Sequence, residues 1–121
     1  MDIPTLSVDE AIHQRQRLHQ KKVRVRGVLT LKREHSGLRS LDQPPKVSDK
    51  DGRHEIWIHF PTLKKTDWRT FGKEYHQAAV EIYGTFNADG HGHMSLFAAE
   101  MNTIEITKLP ATPTELRGSP Q

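Results

Sequence analysis

Eight histidines and no cysteine in 121 residues put imidazole first among the groups that could do chemistry here. His91 and His93 stand two apart beside Asp89, a spacing that turns both rings to one face of an extended segment. A structural zinc needs a closed shell of four ligands, and local spacing fixes no further one. The alternative is a glycine turn, Asp89-Gly90-His91-Gly92, in which a histidine hydrogen-bonds the backbone of a neighbouring strand. No metal and no cofactor are expected. Ser36, Ser40 and Ser95 each have a histidine within a few positions, but nearness in sequence does not make a triad. The chain has no Gly-x-Ser-x-Gly elbow, no Gly-x-x-x-x-Gly-Lys loop, no Rossmann glycine fingerprint and no His-Glu-x-x-His. Its carboxylates form no convincing acid/base pair. A noncatalytic protein is expected.

Charge and aromatics say more. The net charge is only +3, yet residues 11–40 carry nine Lys/Arg (among them Arg15, Arg17, Lys21 and Lys22) against Glu34 alone, a local balance of +8. That asymmetry points to an anionic partner, or else to a solvated basic face offset by acids elsewhere in the fold. In Glu55–Phe60, alternation turns Ile56, Ile58 and Phe60 one way and Glu55, Trp57 and His59 the other. An outward Trp57 asks for a reason, since a large ring gains little from exposure. Arg24 and Arg26 share a strand face that Tyr83 could join, which suits stacking or cation–π contact with a base. Glu81 beside them offers the plainer outcome of a surface ion pair.

The elements that must hold these residues follow from spacing. Ser7 and Glu10 have capping-box separation, and Val8, Ala11, Ile12 and Leu18 predict a helix over about 8–20. Lys22–Leu31 alternates as a half-buried strand, with Gly27 marking a bulge or sharp bend. A shorter strand is expected around His35–Leu41, then a long loop over 42–54 with Pro44-Pro45 and Asp51-Gly52. Trp57 and His59 lie on the next strand, ended by Pro61. Thr66-Asp67 can cap a short helix carrying Trp68 and Phe71. Strands are then expected at Ala79–Asn87, Met94–Ala99 and Thr103–Leu109. Residues 1–109 read as one domain, and 110–121, with three prolines, as a disordered tail.

A helix between the third and fourth strands of a five-stranded antiparallel set is the order of the OB-fold barrel, whose bent first strand pairs with two neighbours. Mainly β is therefore the expected class, with Val23, Val25, Ile56, Ile58, Val80, Ile82 and Phe86 inside. OB folds lay single strands across the face built on strands two and three. Arg24, Arg26, Lys32, Arg33, His35, Arg39, Trp57, His59 and Tyr83 are the candidate nucleic-acid-binding residues. Trp57 could instead be covered by the 42–54 loop or the N-terminal helix. The runs Val23-x-Val25-x-Gly27-x-Leu29, His35-Ser36-x-Leu38-x-Ser40, Ile56-Trp57-Ile58 and Val80-Glu81-x-Tyr83-Gly84-Thr85-Phe86, with Gly92-His93-x-x-Leu96-Phe97, resemble small bacterial OB-fold-like proteins of unassigned function. The resemblance spans residues 21–109 and implies the fold alone, with no catalytic residue and no ligand.

Two partners fit these observations. One is single-stranded nucleic acid, with phosphates on the basic segment and bases on Trp57, His59 or Tyr83. The other is an acidic protein, engaged by an inhibitor, immunity-type protein or accessory subunit. No apolar run reaches the ~18 residues of a membrane span. Met1-Asp2-Ile3-Pro4 shows no basic n-region or apolar h-region, so no signal peptide is expected. A cysteine-free chain fits the cytoplasm.

Overall fold

The computed structural model describes residues 3–32, 35–41, 54–92 and 97–110. In chain order it contains β1 (Thr5–Ser7), α1 (Val8–His13), α2 (Arg15–Leu18), β2 (Lys22–Lys32), β3 (His35–Arg39) and β4 (Glu55–His59). A 3-10 turn at Lys65–Asp67 then runs into α3 (Trp68–Tyr75), followed by β5 (Ala78–Asn87) and β6 (Ala99–Lys108). Alternation makes β2 the longest strand, at 11 residues, and length lets it serve two partners. Its residues 22–29 pair antiparallel with β5, and 28–32 pair antiparallel with β3. β3 pairs with β4, β4 runs parallel to β6, and β6 returns antiparallel to β5. The order β2-β3-β4-β6-β5 therefore closes on β2. With α3 between the third and fourth strands of this ring, the architecture is a five-stranded OB-fold barrel.

The inward positions follow the period of two. Val23, Val25, Ile56, Ile58, Val80, Ile82 and Phe86 are all at most 1% exposed, joined by Leu29, Leu38, Ala99 and Met101. Val8, Ala11 and Leu18 add the N-terminal helices to this core. The capping box of α1 is formed: Glu10 N–H donates to Ser7 Oγ (3.1 Å) and Ser7 N–H to Glu10 Oε1 (2.9 Å). The Ser7 backbone N–H, with its hydroxyl, holds the Glu10 carboxyl below its usual range.

Several elements depart from the spacing. The helix over 8–20 is broken at Gln14, whose dihedrals (φ −102°, ψ 17°) leave the helical region. β1 is an added strand, parallel to β2 with Leu6 opposite Val25, too short to show a period. The strand expected at Thr103–Leu109 begins earlier, at Ala99, and runs to Lys108 along β5 with a register shift between Tyr83 and Gly84, while Phe97 and Ala98, expected in the strand before it, form a bend. Met94–Leu96, the 42–53 loop and the 111–121 tail lie outside the described residues. Gly27 makes no bulge, since the β2–β5 register runs unbroken through it. It is a close approach: a Cβ there would run into the Arg39 carbonyl and sit 2.9 Å from Leu38 Cγ. Past Asn102, β6 pairs only with β5 among the described residues, and Ile104 is 55% exposed. No described helix is long and apolar enough to cross a membrane.

The turn after α3 locks the helix to β2. Leu31 N–H donates to His76 Nδ1 (3.0 Å), and Gln77 N–H donates to the Leu29 carbonyl (2.6 Å). A ring accepting at Nδ1 must be neutral, and burial, then the Lys32 and Arg39 charges, lower the His76 pKa from 6.5. The unfolded chain therefore binds this proton first, so stability falls as pH drops below about 6.5 towards the lowered native value. His76→Asn keeps an acceptor but cannot titrate. Urea unfolding between pH 7.5 and 5 should show a shallower loss of stability in this variant than in the wild type. In the core, Ile58→Ala should cost about 2–5 kcal/mol at neutral pH in the same measurement.

Candidate functional site

The outer face of β3, β4 and β6 is built around one ring. Gly37 lies opposite Trp57 on β3, and Glu100 lies opposite it on β6. Phe97 packs edge-on to Trp57 at 5.0 Å between centroids and also to His35 at 5.2 Å. His59 meets Trp57 edge-on at 6.2 Å. Two histidine–carboxylate pairs flank the indole: His35 Nε2 with Glu55 Oε1 (3.1 Å) and His59 Nε2 with Glu100 Oε2 (3.1 Å). The other Glu100 oxygen accepts from Gly92 N–H (2.7 Å), which ties the turn after β5 to this face. Gly92 has φ +65°, and a Cβ on it would stand 2.6 Å from Trp57 Cβ.

Beside this face the barrel wall and α3 form a groove of about 550 Å³. Trp57 and Lys32 line it from the sheet, and Trp68 and Arg69 from the helix, with His35 and Leu31 between them. A shallower hollow of about 280 Å³ shares Trp57 and Trp68 and continues past His59 and Asn102. Trp68 is held by Phe60 and Phe71, each at 6.2 Å, yet stays 38% exposed. Two indoles on different elements, in a groove also lined by a lysine and an arginine, can receive a flat ring that bears an anionic group.

No protein-family model matches this chain, and no curated protein matches it. Among solved structures it is similar to an OBody bound to hen egg-white lysozyme, at 17% identity and TM-score 0.46, over 77% of this chain and 85% of that one. It is also similar to part of the asparaginyl-tRNA synthetase from Pyrococcus horikoshii, at 17% identity and TM-score 0.45. That match covers 86% of this chain but 24% of the synthetase. The strand order carries the fold by itself. These likenesses add no site.

The nine residues expected to bind nucleic acid do not form one surface. Lys32, His35, Trp57 and His59 come together on the groove and the face beside it. Arg24, Arg26 and Tyr83 lie on the β2–β5 ladder, where Arg26 Nε donates to Glu81 Oε1 (2.9 Å) and Arg24 Nε lies 3.7 Å from Glu81 Oε2. The Arg24 guanidinium also covers the Tyr83 ring at 5.1 Å, so the ion-pair alternative is the one adopted, with the aromatic added to it. Arg39 is 9% exposed and donates to Thr30 Oγ1 (3.1 Å) and Gln77 Oε1 (3.0 Å), so its charge fastens the barrel wall instead of facing a ligand. Arg33 and His93 lie outside the described residues. Glu55 points off the barrel as expected but is only 7% exposed. Trp57 is half-buried, and its described cover is Phe97 and the Gly92 turn. The His91 ring approaches the Phe97 carbonyl at Nδ1 (3.0 Å), the backbone contact offered as the alternative to metal.

Trp68, Arg69 and Phe97 were not among the expected site residues. The adjacent Trp68-Arg69 pair was the available signal, hidden by reading Trp68 as helix packing. Gly92→Ala would force a left-handed alanine against Trp57, costing about 1–2 kcal/mol from the backbone alone. In a Trp68→Phe background, the remaining indole emission should shift, reporting displacement of Trp57.

Proposed function

We propose that this chain is a noncatalytic binding module that takes single-stranded nucleic acid across the outer face of β3 and β4 and into the groove beside α3. The observation that carries this reading is the joint placement of Trp57 and Trp68 on that groove, with Lys32 and Arg69 beside them. Every base has a π-face, so two indoles give stacking without sequence choice, and the cations meet phosphate. Glu55 and Glu100 have their near oxygens turned to His35 and His59, each at 3.1 Å, and Glu100 also accepts from Gly92 N–H, so both carboxylates are engaged within the face. The reading sets the protein in the cytoplasm, and DNA and RNA share the chemistry it needs. An acidic protein is the alternative partner; it would use the same cations, and the oligonucleotide titration separates the two.

Fluorescence titration with labelled oligothymidylate and oligouridylate tests it. Trp57→Ala should weaken binding by about 1–3 kcal/mol at every salt concentration, since stacking releases no counterions. Lys32→Gln and Arg69→Gln should each flatten the dependence of log K on log salt by about 0.7. No binding of either oligonucleotide at low salt and micromolar protein refutes the reading.

A further inference from the structure

Of the eight cations described in residues 11–40, the groove is lined by Lys32 alone. Arg24 and Arg26 are engaged by Glu81, and Arg39 by Thr30 and Gln77. Arg15 and Arg17 lie on α2, Lys21 just after it and Lys22 at the start of β2, and all four are exposed. Arg15 gives one guanidinium N–H to the Ile12 carbonyl (3.0 Å), which leaves its other donors available for a second partner.

The segment carrying them is firmly seated. Leu18 is buried in the core beneath it. Gln20 N–H donates to the Phe86 carbonyl (2.7 Å), and Phe86 N–H donates back to the Lys21 carbonyl (2.9 Å). His19 Nδ1 accepts from Ala88 N–H (3.1 Å), which leaves Nε2 towards Asp89 (3.4 Å). Asp89 is thus turned to the histidine.

We propose that this basic group is a second contact for the phosphate backbone of the strand that occupies the groove, an inference that rests on the nucleic-acid reading above. Charge alone suffices for phosphate, whereas a protein interface centres on buried aromatic or apolar anchors. The large hydrophobics exposed among the described residues, Trp68 and Ile104, lie elsewhere, on α3 and β6. β2 joins the two cationic regions, with Lys22 at one end and Lys32 at the other, and its 11 residues span about 30 Å. At about 3.4 Å per stacked nucleotide, a strand touching both ends needs about ten nucleotides. That falls within the ~4–16 nucleotides one OB fold covers. The groove then supplies stacking and the patch supplies length-dependent affinity without base preference.

The test compares oligothymidylates of three and twelve nucleotides on the whole chain, wild type and Lys21→Glu/Lys22→Glu, at two salt concentrations. Both lysines are exposed, so the variant keeps the fold, as its melting curve will verify. The wild type should bind the longer strand about tenfold or more tightly than the shorter. The double variant should lose most of that gain and flatten the salt slope by about 0.7 per lost contact, while the trinucleotide affinity stays within about twofold. An unchanged twelve-nucleotide affinity and salt slope overturns the second contact and leaves the groove reading intact. Absence of binding to both lengths overturns both. Equal affinity for polyglutamate of matched charge overturns the phosphate assignment in favour of an acidic protein.

Discussion

Val28 and Leu29 carry a strand partner on each side, β5 on one edge and β3 on the other, and the closed ring depends on that overlap. A strand that changes neighbours along its length must be crossed closely by both. The residue just before the overlap is Gly27, where a side chain would collide with the Arg39 carbonyl and crowd Leu38 and Val8. Once β3 has left, the same edge of β2 is free at Arg24–Arg26, and β1 fills it. The N-terminal helices follow β1 directly, so Val8 and Ala11 enter the core from a position that the edge of β2 dictates. Closure, the added strand and the seat of the helices are thus one steric fact.

The same alternation that fills the barrel determines what its outside can do. Ile56 and Ile58 face in, so Glu55, Trp57 and His59 must face out, and partners on β3 and β6 decide how far each is covered. Covering differs in kind. Glu55 and Glu100 each meet a histidine ring at 3.1 Å, while Trp57 is propped by Phe97 without being enclosed. α3, held against β2 by the His76 turn, adds a second indole to the groove that Trp57 lines. Dense charge in the sequence and usable charge in the fold are different things: Arg39 spends its guanidinium on Gln77 and Thr30, and Glu81 takes up Arg24 and Arg26.

Most of the barrel was legible because its strands obey a strict period: the seven inward residues named from alternation are all buried. β1 was not, since Thr5–Ser7 is too short to display a period, and the break at Gln14 has no proline or glycine to announce it. The start of β6 was hidden because Glu100 and Asn102 read as a polar break, although Met101 between them is fully buried. For the site, the strand face gave Trp57 and His59, but alternation reports direction and says nothing of partners. That is why Arg39 and Arg24 looked available. Trp68 and Arg69 were missed for the opposite reason, since their role comes from where α3 docks, which depends on contacts such as Leu31 to His76 far apart in sequence.

The outer half of β6 has one further consequence. Beyond Asn102 its far edge is not paired by β4, and the side chains there are polar or charged apart from Ile104, Ile106 and, past the strand's end, Leu109. An open strand edge is a template on which another chain can add, the first step towards fibres at high concentration. Glu105 and Lys108 put charge of both signs on this stretch, and the register shift at Tyr83/Gly84 disturbs the ladder behind it. A flat, uncharged edge would stack readily. Among the described residues this edge has no partner past Asn102, and Glu105 and Lys108 oppose the addition of a further strand along it.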